Sequence, residues 1–272
     1  VRIPPLPAPL PDQEKKTAPT ITAKDRAFIE GLVLHRDSDV IVLNKPAGLA
    51  VQGGTNTDRH VDGLLPGLVD KGGERPRLVH RLDRDTSGVL VIAANARAAA
   101  SLAQAFRGRD THKIYWALTN GLPIPRAGKI DAALIKSVAE DGRERVRVAF
   151  EDEEEDVKSA VTLFETMDSA TTMGWLALMP LTGRTHQLRA HCAAIGVPIS
   201  GDGKYGVEPS RSHGEIPNKL MLHARSLRIR HPKGHWLNVT APLPPHMAKA
   251  WDLFGFDKDD TRDPFQEELA PK

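Results

Sequence analysis

Short apolar segments bounded by turn-forming residues constrain the fold of this 272-residue chain more than any other feature. Apolar or alternating runs of this length, bounded by Gly, Pro, Asn or Asp, predict β-strands. The runs are VIVLN (40–44), GVLVIAA (88–94), KIYWALT (113–119), SAVTLFETM (159–167), GWLALMPL (174–181), LRIRH (227–231) and WLNVTAP (236–242). No run approaches the roughly 20 apolar residues that a membrane helix needs.

Helical patterns are fewer than strand patterns. The alanine-rich segment 95–106 begins at Asn95, a favourable N-cap, and the segment 185–195 lies between Thr185 and Gly196. A last helix is predicted over 245–254. Strands that outnumber helices and occur in clusters predict an α+β fold, with a mixed, mostly antiparallel β-sheet core and flanking helices.

Composition divides the chain into three parts. The proline-rich segment 1–37 is predicted to be an extended N-terminal arm or linker, in which 24–34 can form a short helix. One folded domain is expected over 38–256. The polar segment 257–272 is predicted to be a loose C-terminal tail.

Charge and cysteine content limit the function classes. The net charge is only +2, but 151–156 is a run of six acids, so the remainder of the chain is clearly basic. A basic face would attract phosphates, although charges of this kind more often only solvate a surface. The single cysteine, Cys192, excludes an internal disulfide and a cysteine-rich zinc site, and it fits a reducing cytoplasm.

The segment LVHRLDRDTSGVLVIA (78–93) carries the strongest chemical signal. Its polar turn lies between two strand-like runs and places Asp83 among arginines, which favour an ionised carboxylate. Such a group suits a nucleophile or an electrostatic partner of a developing cation. A turn in which Asp85, Thr86 and Ser87 act only as caps explains the same residues equally well.

Two further segments carry candidate residues. In 181–206, Arg184 stands at the mouth of a predicted helix, where main-chain amides favour anions. His186 and His191 are five residues apart, a poor spacing for a metal pair on a helix, and no HExxH motif is present. In 113–121, Tyr115 stands among apolar neighbours of a predicted strand. A tyrosine in this setting is more often a core residue whose hydroxyl is hydrogen-bonded than a catalytic residue.

Taken together, these segments resemble the RluA/RluC family of pseudouridine synthases, most closely the RluC type that acts on 23S ribosomal RNA. The matching blocks occur in the family's order and cover about 38–242. They are NKPxG (44–48), HRLDxxTSG (80–88), KxYxAxxxG (113–121), GRTHQxRxH followed by GxPIxGDxxYG (183–206), and LHAxxL…HP (222–232). The opening VRIPP resembles the end of an S4 RNA-binding domain, and we expect this S4-less chain to retain catalysis with weaker RNA affinity.

The resemblance implies a catalytic cleft across the sheet and a mechanism without cofactor or metal. Asp83 corresponds to the catalytic aspartate, Tyr115 to the tyrosine that packs on the base, and Arg184 to the cation paired with the aspartate. The target uridine would be flipped out, with Arg81 filling the gap. The predicted RNA- or substrate-binding residues are Arg81, His80, Lys45, Thr86, His186 and Gln187.

The resemblance also implies a cytoplasmic, monomeric enzyme whose partner is ribosomal RNA and which has no membrane contact. Two alternatives remain open. One is a catalytically silent RNA-binding or ribosome-assembly factor on the same fold. The other is a nucleoside hydrolase, which would release free uracil.

Overall fold

The structure is a computed structural model. It describes residues 21–54, 57–108, 111–138, 144–150, 152–153, 156–206 and 216–269. The strands are β1 (Val33–Arg36), β2 (Val40–Lys45), β3 (Arg77–Leu78), β4 (Ser87–Ala93), β5 (His112–Asn120), β6 (Ala127–Asp131), β7 (Leu134–Val138), β8 (Glu144–Val148), β9 (Val161–Ala170), β10 (Met173–Pro180), β11 (Leu222–Arg230) and β12 (Trp236–Thr240). The α-helices are α1 (Ala23–Glu30), α2 (Val61–Leu64), α3 (Ala96–Arg107), α4 (Gln187–Ala194) and α5 (Pro245–Phe254). Two 3-10 helices cover Leu65–Leu68 and Gln266–Leu269.

One large mixed sheet forms the core, in the order β1-β2-β4-β11-β5-β10-β9-β6. β12 extends it beside β11, and β3 pairs with β4. Every pairing in this sheet is antiparallel except that of β4 with β11. The predicted mixed, mostly antiparallel sheet with flanking helices is therefore confirmed. No helix of the described residues is long and apolar enough to cross a membrane.

The continuous apolar sequence of β2 and β4 is explained by burial on both faces. Val42 and Val91 face the cluster that includes α3, whereas Leu43 and Leu90 face the cluster that includes α1 and α2. Asn95 caps α3, because its side-chain oxygen accepts from Ala98 N at 2.8 Å. These two strands therefore form a rigid base for the turn that precedes β4.

The second half of the core lies around β5, β10 and α5. Trp116 and Trp175 are in edge contact with ring centroids 4.6 Å apart, and Trp251 of α5 packs on both. All three side chains are buried. This cluster fixes β5, the strand that carries Tyr115.

The domain boundaries differ from the predicted ones at both ends. The folded part begins before residue 38, because Thr22 caps α1, Ile29 is buried, and β1 pairs with β2. The predicted arm is therefore folded over 23–36, while 1–20 lie outside the described residues. At the other end, Phe265 is buried in the main core, so 257–269 are docked and not loose. The polar composition of this segment led to the prediction of a loose tail, although the segment contains the apolar Phe265.

Candidate active site

Asp83 lies in the turn between β3 and β4. Thr86 N donates to the Asp83 carbonyl at 3.2 Å, and Gly48 N donates to the Arg84 carbonyl at 2.9 Å. These bonds hold the turn against the loop that follows β2. The Asp83 side chain remains 28% exposed, which leaves its carboxylate accessible from the cleft.

Lys45 holds this turn from beneath. Its ammonium is fully buried and donates to the carbonyls of Pro46, Leu49 and Arg84 at 2.9–3.0 Å. An ammonium has only three donors, so none remains for RNA. Burial lowers the pKa of Lys45 to about 7, and the nearby charges of Asp85 and Asp83 oppose that shift. Lys45 was predicted to contact RNA, and the structure instead places it as an internal clamp.

A cleft of about 680 Å³ opens beside the turn. Its walls come from 50–53, 80–84, Thr86, Phe106, β5, most of the segment 180–189 and the start of β11. Among the described residues that line it, Asp83 is the one carboxylate. The cations in the same lining are Arg81, Arg84, Lys113, Arg184 and Arg189. A cleft with this balance attracts a polyanion and directs it toward one acidic group.

Tyr115 points into this cleft from β5. Burial raises the pKa of its phenol, and the negative charge of Asp83 raises it further. The hydroxyl has no hydrogen-bond partner among the described residues, so it is free to donate to a substrate. Tyr115 is thus a protonated donor beside the carboxylate, and its phenolate form is scarce at neutral pH.

Arg184 does not form the predicted ion pair with Asp83. Its side chain is exposed and its Nε donates to the Ser159 carbonyl at 3.0 Å. Among the described residues, the basic group nearest to the carboxylate is the His186 ring, whose Nε2 lies 4.0 Å from Asp83 Oδ2. A carboxylate that retains partial exposure keeps water as a partner and does not require a buried counter-ion.

His80, Thr86 and Gln187 line the cleft, but their polar groups are largely used by the protein. His80 Nε2 accepts from Val91 N at 2.8 Å, and burial lowers the pKa of this histidine to about 3, so the ring is neutral. The Gln187 amide bonds to Val161, Thr162, Thr182 and Arg184. Thr86 is buried, with its backbone amide bonded to the Asp83 carbonyl. All three shape the walls.

Arg81 and Lys113 offer free positive charge at the cleft. Arg81 is exposed, with only a long 3.5 Å contact from Nη1 to Gln52 Oε1. Lys113 is half-buried, its side chain has no hydrogen-bond or ion-pair partner among the described residues, and burial lowers its pKa. Sequence reasoning had passed over Lys113, although it opens the block that contains Tyr115. The sequence feature that could have indicated it is a lysine within a strand whose other residues are mostly buried.

Only one group of side chains in the described residues has metal-like spacing, and it lies outside the cleft lining. Asp37, Asp39 and His231 have ligand atoms within 4.8 Å of one another beside the β1–β2 turn. Its atoms already bond to each other and to the backbone: Asp37 Oδ1 accepts from Asp39 N and Val40 N, and His231 Nδ1 accepts from Lys233 N. The arrangement is that of a structural turn.

Comparisons with known proteins establish the family of this chain. Residues 39–194 match the family described as RNA pseudouridylate synthase, which is more than half of the chain. The chain belongs to that family. The "Ribosomal large subunit pseudouridine synthase C" of Pasteurella multocida is 36% identical over 260 residues, covering 92% of this chain and 74% of that protein. The predicted RluA/RluC-type pseudouridine synthase, an isomerase that acts on RNA, is thereby confirmed.

Two other members of the family extend the comparison. "RNA pseudouridine synthase 4, mitochondrial" of Arabidopsis thaliana is 43% identical over 211 residues, which is 71% of this chain but only 44% of that protein. The structure of human RNA pseudouridylate synthase domain containing 4 superposes with a TM-score of 0.73 at 28% identity, covering 85% of this chain and 97% of that chain. The fold and the family therefore agree, whereas the compartment differs among relatives.

Proposed function

We propose that this pseudouridine synthase converts specific uridines of large-subunit (23S) ribosomal RNA to pseudouridine, with Asp83 as the catalytic residue. The observation that carries the proposal is the single carboxylate in a cleft whose other charged lining residues, among those described, are four arginines and a lysine. The name of the Pasteurella relative supports the ribosomal substrate. Because other relatives are named mitochondrial, a cytoplasmic location remains a prediction from cysteine content.

The reaction breaks the bond between N1 and C1′ and forms a bond between C5 and C1′. The proton on C5 is lost and N1 gains one, so substrate and product are isomers. Asp83 acts at C1′, where positive charge develops as the base departs, either by bonding to the sugar or by stabilising a glycal route. No redox partner or group donor is needed for this balance.

Tyr115 packs against the detached base and donates a hydrogen bond to it. Removal of the C5 proton by Tyr115 would require a phenolate, and the raised pKa of this tyrosine makes that form rare. Its position beside Asp83 instead keeps the base in the cleft while it turns. Retention of the base distinguishes an isomerase from a nucleoside hydrolase.

The dimensions of the cleft favour a single flipped nucleotide. Its volume of about 680 Å³ lies in the range of pockets for one small ligand. A stacked helix could not present C1′ to a carboxylate inside it, so the uridine is flipped out. Arg81, exposed at the rim, occupies the vacated position in the RNA, and Arg184 contacts the adjacent phosphate.

The test uses a 23S ribosomal RNA fragment with tritium at uracil C5. Isomerisation replaces the C5–H bond, so tritium appears in water and pseudouridine appears in the nuclease digest. Free uracil would establish a hydrolase. Tight RNA binding with no product on any ribosomal or transfer RNA would support the alternative of a catalytically silent assembly factor.

Lys113 is predicted to contact an RNA phosphate. Replacing it with Gln removes an unpaired cation from the cleft, so RNA affinity should fall and the slope of log K against log salt should flatten by about 0.7–0.9, the amount expected for one phosphate contact. Filter binding from 50 to 300 mM salt measures this. Lys249→Gln, on the exposed side of α5, is the matched control and should leave the slope unchanged.

Metal removal is predicted to leave the reaction rate unchanged. The mechanism above uses only side chains of the cleft, and the described lining residues include no carboxylate besides Asp83 to ligate a cation. Single-turnover rates before and after exhaustive EDTA dialysis provide the measurement. A loss that zinc restores, with the RNA fold shown to be unaltered, would contradict the mechanism.

A further inference from the structure

A chain of hydrogen bonds leads from β8 to the histidine that faces Asp83. Val146 N of β8 donates to Tyr205 Oη at 3.0 Å, and Tyr205 Oη lies 2.9 Å from His186 Nδ1. The other ring nitrogen, His186 Nε2, faces Asp83 Oδ2 at 4.0 Å. Tyr205 thus connects a backbone amide to the histidine that faces the carboxylate.

The hydrogen bonds of Tyr205 favour one tautomer of His186. The phenolic oxygen of Tyr205 already accepts from the Val146 amide, and its own proton has one acceptor among the described residues, His186 Nδ1. When the Tyr205 hydroxyl donates to this acceptor, Nδ1 is unprotonated and the proton of the neutral ring is on Nε2. Burial lowers the pKa of His186, while the Asp83 charge opposes that shift.

Tyr205 is itself held by a buried ion pair. Arg189 and Asp202 form a bidentate pair with both N–O distances at 2.7 Å, and the Arg189 guanidinium lies 5.1 Å from the centre of the Tyr205 ring. Asp202 also accepts from the Tyr205 amide at 3.1 Å. The orientation of the phenol is therefore set by the protein before substrate arrives.

We propose that His186 is a positioning residue for the catalytic carboxylate, in a tautomer that Tyr205 imposes. This inference rests on the proposed function of Asp83. Its Nε2–H binds Oδ2 of Asp83 when the uridine enters, which leaves the other carboxylate oxygen to face C1′. Catalytic hydrogen bonds are often long in the free enzyme and shorten in the substrate complex, so 4.0 Å is a suitable starting distance.

The backbone at His186 separates this role from a purely structural one. Its φ is +52°, in the left-handed region that Asn tolerates better than most residues. If His186 served only the fold, His186→Asn would be the better replacement. As a donor, however, the terminal amide of Gln reaches the position of Nε2, whereas the amide of Asn reaches only that of Nδ1.

The experiment measures single-turnover rate and RNA affinity of the full chain for His186→Asn, His186→Gln, Tyr205→Phe and the double variant His186→Gln/Tyr205→Phe. We expect Tyr205→Phe and His186→Asn to lower the rate about 10–100-fold at unchanged affinity, the loss expected for one hydrogen bond to a charged group. His186→Gln should retain more activity than His186→Asn. Tyr205→Phe should add little in the His186→Gln background, because the Gln amide needs no fixed tautomer.

Controls keep the two hypotheses separate. His35 also faces an aspartate, Asp37 at 2.9 Å, but does not line the cleft, so His35→Gln and His35→Asn should leave the rate unchanged. Wild-type protein without pseudouridine formation would refute the proposed function. An active wild type with His186→Asn equal to or better than His186→Gln, or with additive double-variant losses, would refute the role of His186 alone.

Discussion

Asp83→Asn is expected to bind RNA normally and to form no detectable pseudouridine. The substitution preserves the shape of the side chain but removes the charge that acts at C1′. Loss of a group that acts mainly in the transition state commonly costs on the order of 10³–10⁶-fold in rate. The side chain makes no hydrogen bond to described residues and is partly exposed, so the fold should tolerate the change.

The neighbouring carboxylate provides the matched control for this experiment. Asp85 lies in the same turn, is exposed, and does not line the cleft. Asp85→Asn removes the same charge two residues away and should retain most of the activity. Tritium release under single-turnover conditions, with thermal unfolding of both variants, gives the comparison. Substantial turnover by Asp83→Asn, or equal losses in both variants, would remove Asp83 from its proposed role.

The sequence predicted the sheet well because apolar runs depend on local patterning. Each predicted strand was found, and Asn95 caps α3 as expected. β1, β6 and the hairpin of β7 and β8 were missed. The ERVRV segment of β8, for example, has three charged residues and only two apolar ones, Val146 and Val148. Long apolar runs predict strands from the sequence alone. Short strands at the edge of a domain are stabilised by contacts with distant parts of the chain, which the local sequence does not show.

The interior of the site was harder to predict than its location. The motif identified Asp83 and the cleft residues around it, but it did not show where cations point. Arg184 donates to the Ser159 carbonyl, and two residues later His186 adopts a left-handed conformation that no local pattern indicated. The Lys45 ammonium donates to three backbone carbonyls, which come together only in the folded protein. Side-chain direction is thus a property of the assembled loops.

Gly88→Ala is expected to destabilise the domain strongly and to displace the catalytic turn. Gly88 is the second residue of β4 and lies opposite Ala224 of the parallel strand β11. Its φ is +110°, and a Cβ there would meet the Ala224 carbonyl oxygen at 2.2 Å. Backbone atoms of two central strands cannot yield as a flexible side chain can, so the strands must separate.

Gly48→Ala isolates the contribution of that close approach. Gly48 also has a positive φ, +86°, but a Cβ there would meet no atom within 4 Å. Gly48→Ala should lower the free energy of unfolding by about 1–2 kcal/mol, the cost of the backbone strain alone. Gly88→Ala should lower it by about 4 kcal/mol or more, because the strain and the backbone overlap combine. Urea unfolding of both variants measures the difference.

The same pair of variants tests how the sheet positions Asp83. Gly88 follows the turn directly, so separation of β4 from β11 moves the carboxylate relative to Tyr115, which β5 holds on the far side of β11. The folded fraction of Gly88→Ala should therefore react more slowly than wild type at saturating enzyme, and Gly48→Ala should not lose rate to the same degree. Equal stability losses in the two variants would show that the approach of the strands is not what requires glycine. A normal rate in folded Gly88→Ala would show that the turn is held by Lys45 and its own hydrogen bonds, independently of the parallel pairing beneath it.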